Sequence, residues 1–135
     1  MPRPVSPKLP HPPVGRDALS AACQRGVTVN AVVETLQGAG SALSSTEPAA
    51  AFATLPAVKL WHWPKAARSA PGAKMHAKLA IADRRELLVS SANLTASGAV
   101  NSIEAGLLVR GSTAAVRAAE HIDGLIASGL LVPLV

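Results

Sequence analysis

Apolar and polar positions change period several times along the chain, and each change marks an element. After Asp17, which suits an N-cap, Ala18, Leu19, Ala21, Ala22 and Cys23 recur at helical spacing, and Gly26 stands where a helix terminates. Val27, Val29, Ala31 and Val33 then alternate with Thr28 and Asn30, which is a strand pattern. Residues 38–45, rich in Gly, Ala and Ser, read as a loop. Thr46, Glu47 and Pro48 open a short helix to about Leu55, because proline suits a first turn. A second strand is expected over Val58 to Trp63, followed by a basic loop at 64–75. Two more strands, Ala77 to Ala82 and Leu87 to Ser91, flank the turn Asp83-Arg84-Arg85-Glu86. Residues 91–102 are small and polar, a loop with a helical turn, and Ile103 to Val109 is another strand. Ser112 or Thr113 caps a last helix to about Ser128, ended by Gly129, with Ala115, Ala118, Ala119, Ile122, Leu125 and Ile126 as its apolar face. Leu130 to Val135 is apolar and should pack back on the body. Helix and strand alternate early and strands cluster later, so the expected fold is α/β, a mixed β-sheet flanked by helices.

Composition narrows this. At 135 residues there is room for one domain. With no Tyr, one Phe and two Trp, the interior must be built from Ala, Val, Leu and Ile. Residues 1–15 hold six of the eleven prolines and should form an extended, poorly ordered arm, leaving 16–135 as the domain. Arg3, Lys8 and His11 in that arm could touch a phosphate backbone, although a tail without function is the plainer reading. Thirteen Lys and Arg against eight Asp and Glu give a net charge of +5, which favours a polyanionic partner such as nucleic acid. A single cysteine, Cys23, excludes an internal disulfide, and no Cys/His spacing would hold zinc, so no metal is expected. There is no signal peptide, and no apolar run approaches the roughly 20 residues that span a bilayer, so the expected location is cytoplasmic.

Candidate chemistry lies between Met75 and Gly106. His76 and Lys78 stand two apart on a predicted strand, so both project from one face. An imidazole can attack phosphorus, and an adjacent ammonium can neutralise phosphate oxygens. Asp83 follows at the strand end. Ser91 and Asn93, again two apart, offer a hydroxyl and an amide as phosphate donors, and Glu104 opens the last strand. A carboxylate bonded to a histidine ring nitrogen fixes its tautomer.

The full string is His76-Ala77-Lys78, four residues, Asp83, six residues, then Ser90-Ser91-Ala92-Asn93 and, further on, Asn101-Ser102-Ile103-Glu104. It resembles the phospholipase D superfamily, whose signature is His-x-Lys-x4-Asp-x6-Gly-Ser-x-Asn, here with Ser90 in place of the usual glycine. The run Ser91 to Thr95, Glu104-Ala105-Gly106, Arg110-Gly111, His121 and Gly129-Leu130 looks closest to the phospholipase D-like component of the DISARM anti-phage defence system. The resemblance covers about residues 16–135 and implies that an expected first strand of the family fold is missing. It implies a covalent phospho-histidine on His76, a phosphate held by Lys78, Ser91 and Asn93, and a histidine oriented by Glu104. Asp83, also in the catalytic set, would serve structure more than chemistry. No cofactor is implied. The family uses two such motifs per site and this sequence holds one, since His11, His62 and His121 lack a lysine two residues on. The resemblance thus implies a half-site, to be completed by a second copy of the chain or another phospholipase D-type half, within a set of defence proteins.

Plainer readings stand beside these. Trp61 and Trp63 could stack a base, although a buried pair is the commoner explanation, and Lys65, Arg68 and Lys74 could rim a nucleic-acid site or be solvated charge. Two classes of function follow: a nuclease-type phosphodiesterase, or an inactive nucleic-acid-binding scaffold of a defence complex. A phospholipid substrate is the runner-up, disfavoured because the sequence shows no apolar surface for membrane docking.

Overall fold

The computed structural model describes residues 15–35, 48–91 and 103–134. The proline-rich arm up to residue 14, the loop at 38–45, Asn93, Asn101 and the helical turn expected after Ser91 lie outside the described residues.

The architecture is α/β, with the strands divided between two three-stranded sheets. Helix α1 spans Arg16–Gln24, and β1, Asn30–Val32, runs parallel to β2, Lys59–His62. The predicted helix before β2 is a 3-10 turn at Pro48–Phe52, which leads to the buried Leu55 and Val58. In the second half β3, Leu79–Ala82, β4, Glu86–Ser90, and β5, Gly106–Arg110, form an antiparallel meander. Helix α2, Thr113–Ala127, packs across it. Strand β6, Val132–Pro133, returns to pair antiparallel with β2, so the segment after α2 ties the two sheets together.

Local chemistry explains the boundaries. The Ser112 hydroxyl accepts the Ala114 amide at 3.2 Å, capping α2 as its sequence predicts. Gly26 and Gly129 take φ near +80° just beyond the two helices, a conformation that costs other residues a Cβ clash. Asp17 does not cap α1: Gly15 does, without a side-chain bond, and Asp17 sits in the first turn, where a carboxylate meets the positive end of the helix dipole. On the meander Ile81, Leu87 and Val109 stand in one cross-strand row. Leu87 is buried there, as are Ala115 and Ala119 of α2. Leu131 is buried beyond the helix, where its amide bonds Leu125.

One sequence expectation is reversed. Leu79, Val89 and Leu107 share a second row on the same face, nearer the sheet end, and are 40, 43 and 65% exposed. An apolar surface therefore exists, because α2 covers only part of the sheet. No described helix is long and apolar enough to cross a membrane.

Candidate active site

The register of the meander decides which residues meet. Lys78 immediately precedes β3, and its carbonyl accepts the Ser90 amide at 3.1 Å, while Ser90 pairs with Gly106. Lys78, Ser90, Ser91, Ala105 and Glu104 thus gather at one end of the sheet, with His76 on the extended lead into β3.

His76 is exposed. The Lys78 ammonium donates to the His76 carbonyl at 2.9 Å and lies 3.5 Å from Nδ1 of its ring, the outer limit of a hydrogen bond. One firm bond therefore holds the cation beside the imidazole. Nε2 of His76 makes no hydrogen bond to any described residue. A ring nitrogen next to a fixed cation at a sheet end suits attack on an anionic phosphodiester.

Ser91 and Glu104 form the second cluster. The Ser91 hydroxyl donates to Oε2 of Glu104 at 2.5 Å, the Ala105 amide donates to Ser91 Oγ at 3.1 Å, and the Ser91 amide donates to the Ala105 carbonyl at 3.1 Å. Within one chain the Glu104 carboxylate is bonded to Ser91, and no described histidine ring bonds it. Backbone pairing across β4 and β5 draws 104–105 onto Ser91, and a hydroxyl satisfies the carboxylate at closer range. It also commits the one hydroxyl hydrogen of Ser91, so that oxygen must turn before it can donate to a phosphate.

Asp83 stands apart from both clusters. It occupies the hairpin turn with φ of 53°, followed by Arg84 at 55°, and Arg85 N–H closes the turn on the Ala82 carbonyl at 2.9 Å. Three residues, 83–85, connect the paired Ala82 and Glu86, and Asp tolerates the left-handed conformation at the first of them. Five residues at about 3.3 Å each put Asp83 roughly 16 Å from Lys78, at the opposite end of β3. It is a turn residue. Arg84 anchors that turn to α2 through an ion pair with Asp123.

Ser90, in place of the glycine of the family pattern, is accommodated by the glycine opposite it. A Cβ on Gly106 would stand 3.0 Å from the Val89 carbonyl oxygen and 3.2 Å from both Cβ and Oγ of Ser90. Gly106→Ala should therefore destabilise by about 1–3 kcal/mol, as overpacking does. Adding Ser90→Gly should recover part of the loss in a urea melt, since only the carbonyl contact then remains; no recovery would show that the Ser90 contacts are harmless.

The basic loop splits. Lys65 and Lys74 are exposed. Arg68 departs from the expected rim: its side chain is 2% exposed, so it is withdrawn from any nucleic-acid contact. It forms a two-pronged ion pair with Glu34 (2.6 and 3.1 Å) and donates to the carbonyls of Trp63 and Ala73. Its guanidinium lies 4.7 Å from the Trp63 ring centre. Trp61 is likewise occupied, its Nε1 donating to Asn30 at 3.0 Å. Both indoles are half-buried structural groups rather than an open stacking platform. Among the described residues no three His, Cys, Asp or Glu side chains gather to hold a metal ion.

A family model described as cardiolipin synthase, PLD-like domain, matches residues 5–126, most of the chain. No curated protein and no solved structure matches it.

Proposed function

Because the chain belongs to the phospholipase D-like family, we propose that it is a phosphodiesterase acting on nucleic acid through a phospho-histidine, with two copies completing one site. The observation that carries this is the exposed His76 ring beside the Lys78 ammonium at the sheet end that also holds Ser91 and Glu104. His76 Nε2 attacks phosphorus as the bond to the leaving oxygen breaks, and that oxygen takes a proton from the imidazolium of His76 in the second copy. Water then attacks the phospho-histidine, gives a proton back to the second imidazole, and releases the phosphate monoester. Lys78, with Asn93 as a further donor, stabilises charge on the non-bridging oxygens. The net charge of +5 supports a polyanionic substrate. The likeness to the DISARM component supports a place in bacterial anti-phage defence beside other proteins of such a system.

Cleavage of a labelled oligonucleotide should persist in EDTA, because no step needs a divalent ion, and solution mass should correspond to two chains. Loss of cleavage in chelator with recovery in Mg²⁺, or full activity from a monomer, would overturn this reading. A phospholipid substrate is the second reading, favoured by the exposed row of Leu79, Val89 and Leu107 and by the description of the matched family. Release of a headgroup from anionic vesicles, with the oligonucleotide intact, would decide for it. A chain that binds nucleic acid but cleaves neither substrate in any assembly state would be the scaffold.

Lys65 and Lys74 set a further expectation. If both contact phosphates, Lys65→Ala with Lys74→Ala should lower the salt slope of binding by about 1.4–1.8, the release of two counterions. An unchanged slope in a salt titration would assign them to solvated charge.

A further inference from the structure

A buried ion pair lies upstream of His76 and is bonded to the segment that carries it. Glu34 lies two residues past the end of β1, and its carboxylate is 10% exposed. One of its oxygens accepts from Arg68 at 2.6 Å and from the Thr35 amide at 3.0 Å. The other accepts from Arg68 at 3.1 Å and from the amide of Met75 at 3.0 Å. Arg68 in turn donates to the Ala73 carbonyl at 3.0 Å and to the Trp63 carbonyl, just past β2, at 2.6 Å. The stretch 73–75 belongs to no ladder of either sheet, so these bonds replace strand pairing in fixing it. The next residue is His76.

We propose that the Glu34–Arg68 pair is a latch that positions His76, tying the lead into β3 to the sheet formed by β1 and β2. Neither residue touches the imidazole; both act through the backbone of Ala73 and Met75, and both are positioning residues. Geometry favours this over a merely stabilising pair. A fork of five N–H donors can hold the β1 end, the β2 end and the 73–75 segment at once, while Glu34 bonds the Met75 amide, one residue before the exposed ring. A nucleophile must be held to a fraction of an ångström, and a displacement of about 1 Å can cost 10²-fold in rate. For its kinetic arm the proposal rests on the phosphodiesterase reading; its spectroscopic arm does not.

The test compares the full chain with Glu34→Gln, which removes the charge, and Arg68→Lys, which keeps the charge but loses the fork. Ala119→Gly, in the packing of α2, serves as a control with a lowered thermal midpoint and an intact latch. All are measured well below their melting temperatures by amide exchange and by the NMR signals of the His76 ring. In both latch variants the Met75 amide should exchange roughly tenfold faster or more while β4 and β5 amides stay protected, and the His76 ring signals should shift or broaden. The control should leave both unchanged. With an oligonucleotide substrate, kcat should fall about 10- to 100-fold with KM within twofold. If the Met75 amide and the His76 ring are indifferent to both latch changes, the proposal is overturned. A parent chain with no turnover would overturn the phosphodiesterase reading alone, and the two spectroscopic readouts would still decide the latch.

Discussion

His76→Asn should lose turnover by roughly four orders of magnitude while nucleic-acid affinity stays within a few fold, since removing a covalent nucleophile removes the pathway rather than a contact. Asparagine keeps a polar side chain of similar reach but has no nitrogen able to form a phospho-enzyme. Lys78→Ala should differ in kind. Its ammonium is held beside the imidazole by a 2.9 Å bond to the His76 carbonyl, so it meets phosphate charge in the ground state and more strongly in the transition state. Both affinity and turnover should fall. Rapid acid-free quenching of the parent with labelled substrate should trap a base-stable, acid-labile phosphate that the His76 variant lacks. Equal cleavage by parent and His76 variant would remove the histidine from the chemistry. In a two-copy site, mixing the inactive His76 variant with parent should also depress activity more than dilution does.

Much of this was legible in the sequence, and the part that was not has a physical cause. The period of 3.6 and the signals at Ser112 and Gly129 located α2, because caps and stripes are local. The spacing of His76 and Lys78 predicted that they share a strand face, but both precede β3, and it is the Lys78 bond to the His76 carbonyl that holds the two groups together. The alternating run from Val27 was read as too long a strand. The ladder needs a partner, and β2 supplies one only from Lys59, whose amide reaches back to Val29. Asp83 fits the family pattern by spacing, but the hairpin fixes its position and spends it on the turn. The partner of Glu104 depended on the pairing of β4 with β5, which no local signal states. Glu34 and Arg68 were missed as a pair because 34 residues separate them. One signal was present: a carboxylate directly after the apolar Val32-Val33 run, where a charge survives burial only if paired.

Arg68→Met should be the most destabilising single change in the described part of the chain. It keeps side-chain volume but leaves the Glu34 carboxylate enclosed with only the Thr35 and Met75 amides as donors. Removing one member of a buried pair costs about 3–5 kcal/mol, a large share of the roughly 5–15 kcal/mol that holds a domain folded. The thermal midpoint should fall by about 10–20 °C for a chain of this size. The pH dependence identifies the cause. Burial alone would raise the Glu34 carboxyl, but the Arg68 hydrogen bonds, the Thr35 and Met75 amides and the Arg68 charge together hold it below the ordinary glutamate range. A carboxyl lowered on folding contributes stability that is fully present above its unfolded pKa. That stability is lost as pH falls through the folded value. In Arg68→Met the lowering contributions from Arg68 are gone and burial dominates, so Glu34 takes up a proton at higher pH and becomes cheaper to enclose. The gap between parent and variant should therefore be widest near pH 7 and narrow by about half or more near pH 4. Adding Glu34→Gln to Arg68→Met should restore part of the loss at neutral pH, as expected for residues sharing one network. Urea melts of the three proteins at the two pH values measure all of this. A gap that is the same at both, or a double variant no better than Arg68→Met alone, would mean that lost packing rather than an orphaned carboxylate explains the damage.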